Sequence, residues 1–229
     1  MLSWHGVSSD DVGVRVEHYP SIPIPVRRQM QVQVPGRNGA ILISEPTFDN
    51  VLLNYDVYVT ESANVTVVTR SILEWLLVPG YQELTDSYDT GITRYAYFDT
   101  SDPIESIWNR FGRVTLTFNA KPQRFISTAL TATAVSSGDT LDNPTMNDAL
   151  PLIICHGTGS GTLTVGNDII SLADSEIVLD SENMQAYYDN TNMNDQMTGE
   201  FPVLSPGSTG ISWSGGISSV EVAPRWFYL

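Results

Sequence analysis

Apolar and polar residues alternate with period two over most of this chain. Tyr55, Val57 and Val59; Val114, Leu116 and Phe118; Leu163 and Val165; and Ile211 and Trp213 each sit between polar neighbours, and clusters of Gly, Asn, Asp and Pro separate the runs. This pattern predicts a mainly β protein built from short strands. Gln29, Gln31 and Gln33 alternate with Met30, Val32 and Val34, which predicts a strand with one wet face and one buried face, and Pro35 to Gly39 supplies a tight turn after it. Before that strand, Pro20, Pro23 and Pro25 fix φ and remove backbone donors, so the segment from Tyr19 to Arg28 runs extended along an edge or surface. One segment departs from period two. Val65, Val68, Ile72, Trp75 and Leu76 fall at helical spacing, Asn64 stands at the N-cap, and Pro79 and Gly80 stop the helix. Asp102, Pro103 and Glu105 offer a second, short helical turn.

Composition changes this picture in two ways. Charged residues make up only 16% of the 229, so much of the surface is neutral and polar, as suits β structure with extensive subunit contacts. The formal net charge is -15, which argues against nucleic-acid binding by phosphate neutralisation. The charge is also uneven. Ten Lys and Arg stand against 14 Asp and Glu up to residue 124, a net of -4, whereas Arg225 alone stands against 12 acidic residues beyond it, a net of -11. That break predicts two domains, 1–130 and 140–229, joined through the polar stretch Ser127 to Thr145, which reads as a linker. The expected core of the second domain is Leu152, Ile154, Leu163, Val165, Ile177, Leu179 and Val222. No apolar run approaches the roughly 18 residues that span a bilayer, and no basic segment followed by an apolar one opens the chain. A soluble protein made in the cytoplasm is expected.

Candidate chemistry is sparse. Cys155 lies within an apolar run and reads as a core thiol, with His156 on the opposite face of the strand. The run from His156 to Thr162 approaches a dinucleotide loop, but Thr162 occupies the third glycine position and a strand-like pattern follows, so it reads as a β-turn between strands. His5, His18 and His156 lack metal-ligand spacing, and no metal or cofactor is expected. Asp180 and Glu182, like other paired carboxylates here, read as solvated edge residues. Without a G-x-S-x-G elbow or an identifiable acid, base and nucleophile, the chain is not expected to be an enzyme.

Several segments, in order, carry a family resemblance: His18 to Gly39, Leu53 to Val59, Gly80 to Phe98, Asn109 to Phe125, Gly199 to Leu204 and Pro224 to Trp226. Together they resemble the distal tail proteins of siphophages, over nearly the whole chain. The resemblance implies an N-terminal β-sandwich or split barrel with one helix that forms a ring, followed by a galectin-like β-sandwich. It implies a structural hub of a phage or prophage tail tip, a hexameric ring joining the tail tube to the baseplate and host-adhesion apparatus. Expected partners are further copies of the chain, the tail tube protein, a tail-associated tip protein and a receptor-binding protein, with DNA passing through unbound and no membrane. The expected location is the virion tail tip, after synthesis in the bacterial cytoplasm. The ring interface is expected at Tyr19, Pro20, Ile22, Pro23, Ile24, Arg27, Arg28, Tyr88, Arg94 and Tyr95, which join apolar or aromatic groups to few charges. The alternative is a glycan-binding adhesin module recognising a host cell-wall saccharide, with Trp213 and Trp226 available for stacking.

Overall fold

The computed structural model describes residues 1–59, 65–101, 105–107 and 111–229. The chain forms two compact units, residues 1–124 with Leu229, and residues 125–228. The first contains β1 (Leu2–Trp4), β2 (Val7–Ser8), β3 (Val14–Val16), β4 (Arg27–Gln33), β5 (Ala40–Phe48), β6 (Val51–Val59), α1 (Val65–Leu76), β7 (Gln82–Asp86), β8 (Ile92–Ser101), β9 (Glu105–Ile107) and β10 (Phe111–Ala120). Its main sheet runs β2-β1-β7-β8-β10-β6-β3, with β9 also on β10.

The centre of that sheet follows from alternation. In β6, Val51, Leu53, Tyr55, Val57 and Val59 are buried, and antiparallel register sets Val114 opposite Val57, Leu116 opposite Tyr55 and Phe118 opposite Leu53. Both strands therefore turn the same parity inward. Outside, Thr115 donates to Asp56 Oδ1 at 2.5 Å and Thr117 to Asn54 Oδ1 at 2.8 Å, so the wet face is cross-linked as well. Phe118 gathers the aromatic core: Trp4 lies 4.9 Å away, Phe98 5.7 Å and Tyr55 6.0 Å between ring centroids. Ile72, Trp75 and Leu76 of α1 join the same core, as their helical spacing predicts, and the Trp75 carbonyl lies 3.0 Å from His5 Nε2. The possible helical turn does not form at Glu105, which begins β9 and pairs with Arg113 of β10. Asn64, Asp102 and Pro103 lie outside the described residues.

Strands β4 and β5 form a separate two-stranded ribbon. Pro35 and Gly36, the latter at φ +80°, make the turn, closed by Arg37 N to Val34 O at 3.2 Å. Pro46 lies where the register shifts between Arg27 and Gln29, since it has no N–H to give the ladder. The expected buried face is absent. Met30, Val32, Ile41 and Ile43 do share one face, but all four are exposed, and no described core cluster includes them.

The second unit holds β11 (Arg124–Ile126, entered from the first unit), β12 (Thr133–Val135), β13 (Thr140–Asn143), β14 (Leu152–Val165), β15 (Asp168–Leu172), β16 (Ile177–Asp180), β17 (Gln185–Tyr188), β18 (Thr191–Asn192), β19 (Met197–Thr198), β20 (Gly207–Ala223) and β21 (Phe227–Tyr228). The segment read as a linker is thus built in: β12 and β13 both pair with β20. Its Gly138 and Asp139 make the turn between those strands, with Ser136 N donating to Asp139 Oδ2 at 2.7 Å.

The spine of this unit is the β14–β20 pair, and here two expectations fail. The glycine-rich run after Cys155 is no turn but the middle of β14, bulged where register shifts at Gly157 and again before Gly161. A Cβ on Gly157 would lie 2.1 Å from Gly216 O, and one on Gly216 2.1 Å from Thr158 O, so glycine is required on both strands at this crossing. Parity at the start of β14 is also opposite to expectation. Ile153 and Cys155 are buried and Leu152 and Ile154 are half-buried, while Leu163, Val165, Ile177, Leu179 and Val222 are buried as anticipated. In a run apolar on both faces the sequence carries no parity, and only the partner strands choose. Ile153→Ala is expected to cost about 2–4 kcal/mol in denaturant unfolding, and Ile154→Ala under about 1.5 kcal/mol. Equal losses would contradict this parity.

Candidate assembly surface

The extended segment between β3 and β4 is pinned at both ends; at its far end Asp49 N donates to Val26 O at 2.9 Å before the ribbon begins. Glu17 N donates to Asp56 O at 2.8 Å, the Glu17 carboxylate pairs with Arg113, and His18 Nε2 lies 3.2 Å from Asp56 Oδ2. The Tyr19 ring then packs on Tyr88 at 4.4 Å, tilted by 59°. Pro20 and Ile22 cover a cavity of about 40 Å³ whose floor is Tyr55, Asp86 and Arg94. Beyond this point Ile24 is 85% exposed.

Below the segment lies a bonded polar core. Asp86 ends β7 and orders the following turn, its Oδ1 accepting from Tyr88 N at 2.9 Å and Asp89 N at 2.8 Å, while Oδ2 accepts from the Tyr55 hydroxyl at 2.7 Å. Burial, and then the Asp86 charge, push the Tyr55 phenol well above its ordinary pKa, so it stays a donor at any physiological pH. Asp89 Oδ2 accepts from Arg124 Nη2 at 2.7 Å and Arg94 Nη2 at 3.4 Å. Burial and the neighbouring Arg124 draw the Arg94 pKa below its ordinary value, opposed only in part by the Asp89 carboxylate.

The expected interface residues therefore separate. Tyr19, Pro20, Ile22, Tyr88 and Arg94 come together at this cavity. Arg94 contributes from beneath: at 6% exposure it has little surface to offer a partner, and it holds the turn that presents Tyr88. Tyr95, next in β8, points to the other face, its hydroxyl 3.4 Å from Glu83 Oε1 and Lys121 Nζ 5.9 Å from its ring. Pro23 and Ile24 lead into the β4–β5 ribbon. At the base of that ribbon Arg27 lies 4.4 Å over the Phe48 ring and donates to Glu45 O at 3.3 Å, and Arg28 Nε donates to Asp49 Oδ1 at 2.7 Å. The Asp49 partner raises the Arg28 pKa. What the sequence did not reveal is the exposure of Met30, Val32, Ile41 and Ile43: alternation placed the first two on a buried face, and the fold leaves all four exposed.

The other candidate chemistry is structural. Burial, with a smaller effect of Glu176, pushes the Cys155 thiol up to about 12, so it is neutral and inert at physiological pH. His156 Nδ1 lies 2.9 Å from Glu176 Oε1, and Glu176 Oε2 accepts from Gly157 N at 3.0 Å, which braces the bulge in β14. Trp213 and Trp226 pack against the second core. Asp180 and Glu182 are not a solvated pair, since Asp180 is buried and accepts from Arg225 Nη1 at 2.7 Å. Among the described residues no group of three or more His, Cys, Asp or Glu side chains could hold a metal ion. No described helix is long and apolar enough to cross a membrane.

An extended segment held on a β sheet, a separate two-stranded ribbon and one helix recur in proteins of similar fold. Residues 14–120, within the first unit, match the family model of the phage tail protein RIFT-related domain. In fold the chain is similar to the Dit (gp 19.1) protein of SPP1, described as a paradigm of the hub adsorption apparatus in phages infecting Gram-positive bacteria. That match has a TM-score of 0.74 at 13% identity and covers 100% of this chain and 98% of that one. The chain is also similar to a component of the phage P2 baseplate in its activated conformation with calcium, with a TM-score of 0.53, 10% identity and coverage of 92% and 89%. The same baseplate with strontium gives a TM-score of 0.51 and 11% identity at the same coverage. No curated protein matches it in sequence. The resemblance read from the sequence segments thus extends to a phage tail domain within a distal tail protein fold.

Asp89→Asn removes the charge that compensates Arg94 beneath the Tyr88 turn. It should lower unfolding free energy by about 2 kcal/mol, discounted from the fully buried case because Asp89 is partly exposed. It should also free the segment after Tyr19 for faster limited proteolysis. Unchanged stability and cleavage would remove the cluster from its positioning role.

Proposed function

We propose that this protein is the structural hub of a phage or prophage tail tip, forming a closed hexameric ring that joins the tail tube to the host-adhesion apparatus and lets DNA pass. The observation that carries this reading is the β4–β5 ribbon. An isolated two-stranded ribbon is marginal in water, and this one keeps Met30, Val32, Ile41 and Ile43 exposed on one face. A second copy of the chain is the cover that every ring member has at hand. With ribbon and Tyr19–Tyr88 surface distinct, contact is head-to-tail, and head-to-tail contacts either close into rings or grow as filaments. The fold likeness over the full chain to SPP1 Dit, described as a hub of an adsorption apparatus, supports the hub reading. The tail tube protein, a tail-associated tip protein and a receptor-binding protein are the proposed neighbours, and the acidic balance of the chain suits a passage that does not hold DNA.

Light scattering and negative-stain microscopy of the purified chain should show a closed oligomer. Val32→Glu with Ile43→Glu should convert it to monomer with its β circular dichroism intact, and Arg27→Glu with Arg28→Glu should weaken it. A ring of unchanged mass in the first double variant, or a monomer for the parent at every concentration, refutes the reading. The rings should also show no affinity for duplex DNA at physiological salt. Salt-steep binding would require a basic lumen.

A further inference from the structure

We propose that the outer face of β16, β17 and β18 in the second unit is a binding site for a neutral saccharide. Register sets Asp180 opposite Gln185, Val178 opposite Tyr187, and Tyr187 opposite Asn192. Leu179 and Ala186, the alternate residues, are buried in the second core, so carboxylate, amides and phenol share the outward face. Two short connections complete it. Residues 181–184 bring Asn183 alongside Asp180, and the two-residue turn of Asp189 and Asn190, at φ 42° and 64°, projects Asn190. Together they line an open cleft of about 450 Å³.

The chemistry of the lining selects the ligand class by elimination. Asp180 is its one charged member, and its carboxylate is occupied: Oδ1 accepts from Arg225 Nη1 at 2.7 Å and Glu182 N at 3.1 Å, and Oδ2 from Asn183 Nδ2 at 2.8 Å. Burial alone would raise its pKa, but these bonds outweigh burial and the net shift is downward, so the group remains an ionised, saturated floor. Arg225 is held at φ 56°, uncommon for a residue with a side chain, and its guanidinium also lies 3.6 Å from Glu182. No Lys, Arg or His lines the cleft, so an anion finds no partner there. The lining is mostly amide, unlike the apolar walls that hold drug-like ligands. Among the described residues, the side-chain polar groups of Gln185, Tyr187 and Asn190 make no hydrogen bond, and each amide offers two donors and an acceptor on adjacent atoms. That set matches vicinal hydroxyls, which donate and accept at once, and the Tyr187 ring supplies a face or edge for sugar C–H groups.

This site is a property of the second unit and does not depend on the ring reading. The test is saturation-transfer NMR and calorimetry on the full chain, with neutral mono- and disaccharides of gluco, galacto, rhamno and N-acetylhexosamine type, and a uronate disaccharide as the anionic comparison. Saturable binding of at least one neutral sugar is expected, insensitive to salt, with the uronate excluded. Gln185→Ala with Tyr187→Ala should weaken it at least about tenfold. Asn190→Gly, which keeps the positive-φ turn while deleting the amide, should weaken it several-fold. Melting temperature and light scattering of each variant separate loss of the site from loss of fold or assembly. No saturable binding across the panel, or binding unchanged in the double variant, overturns the assignment.

Discussion

The β6–β10 pairing is the constraint on which the first unit depends. Its register turns Val, Leu, Tyr and Phe inward on both strands and Asn, Asp and Thr outward, so a slip by one residue would reverse both faces at once. Phe118 lies at its centre, touching aromatic rings from β1, β6 and β8, and the helix closes over the same core. Once that register is fixed, Tyr55 must reach Asp86, Asp86 must order the turn carrying Tyr88, and Tyr88 is in place to receive Tyr19. The surface feature is a consequence of core packing, relayed through three side chains.

The second unit solves a different problem. Two long strands, β14 and β20, cross so closely that glycine is required on both, and the bulge that results is braced by Glu176 against His156 and Gly157. A bulge in a long strand raises its local twist, which lets one continuous pair serve a curled sheet. Part of the acidic excess of this unit is managed locally: its single Arg holds the buried Asp180 carboxylate, and Glu176 is held by His156 and Gly157.

The two units also differ in what they leave uncovered. Among the described residues, the first exposes an aliphatic stripe on one face of a two-stranded ribbon. The second exposes amides and a phenol in a concave setting, where hydroxyl groups are the better match.

The sequence by itself determined the elements whose two faces differ chemically. The alternation in β6 and β10, the apolar stripe of α1 with its Pro79-Gly80 stop, and the turn at Pro35 and Gly36 were all legible, because period and turn chemistry are local properties. Cys155 was legible as a core thiol for the same reason. Where both faces are alike, locality fails. The run Leu152 to Cys155 has no parity of its own, the glycines after it fit a turn as well as a bulge, and the polar stretch to Thr145 fits a linker as well as edge strands; in each case the partner strand decided. Tertiary structure alone paired Asp180 with Arg225, 45 residues apart, put Arg94 beneath the Tyr88 turn, and left the apolar face of β4 without cover. Burial is a relation between distant segments, and an alternating strand records only that it has an apolar face, not whether the surface that covers it belongs to the same chain.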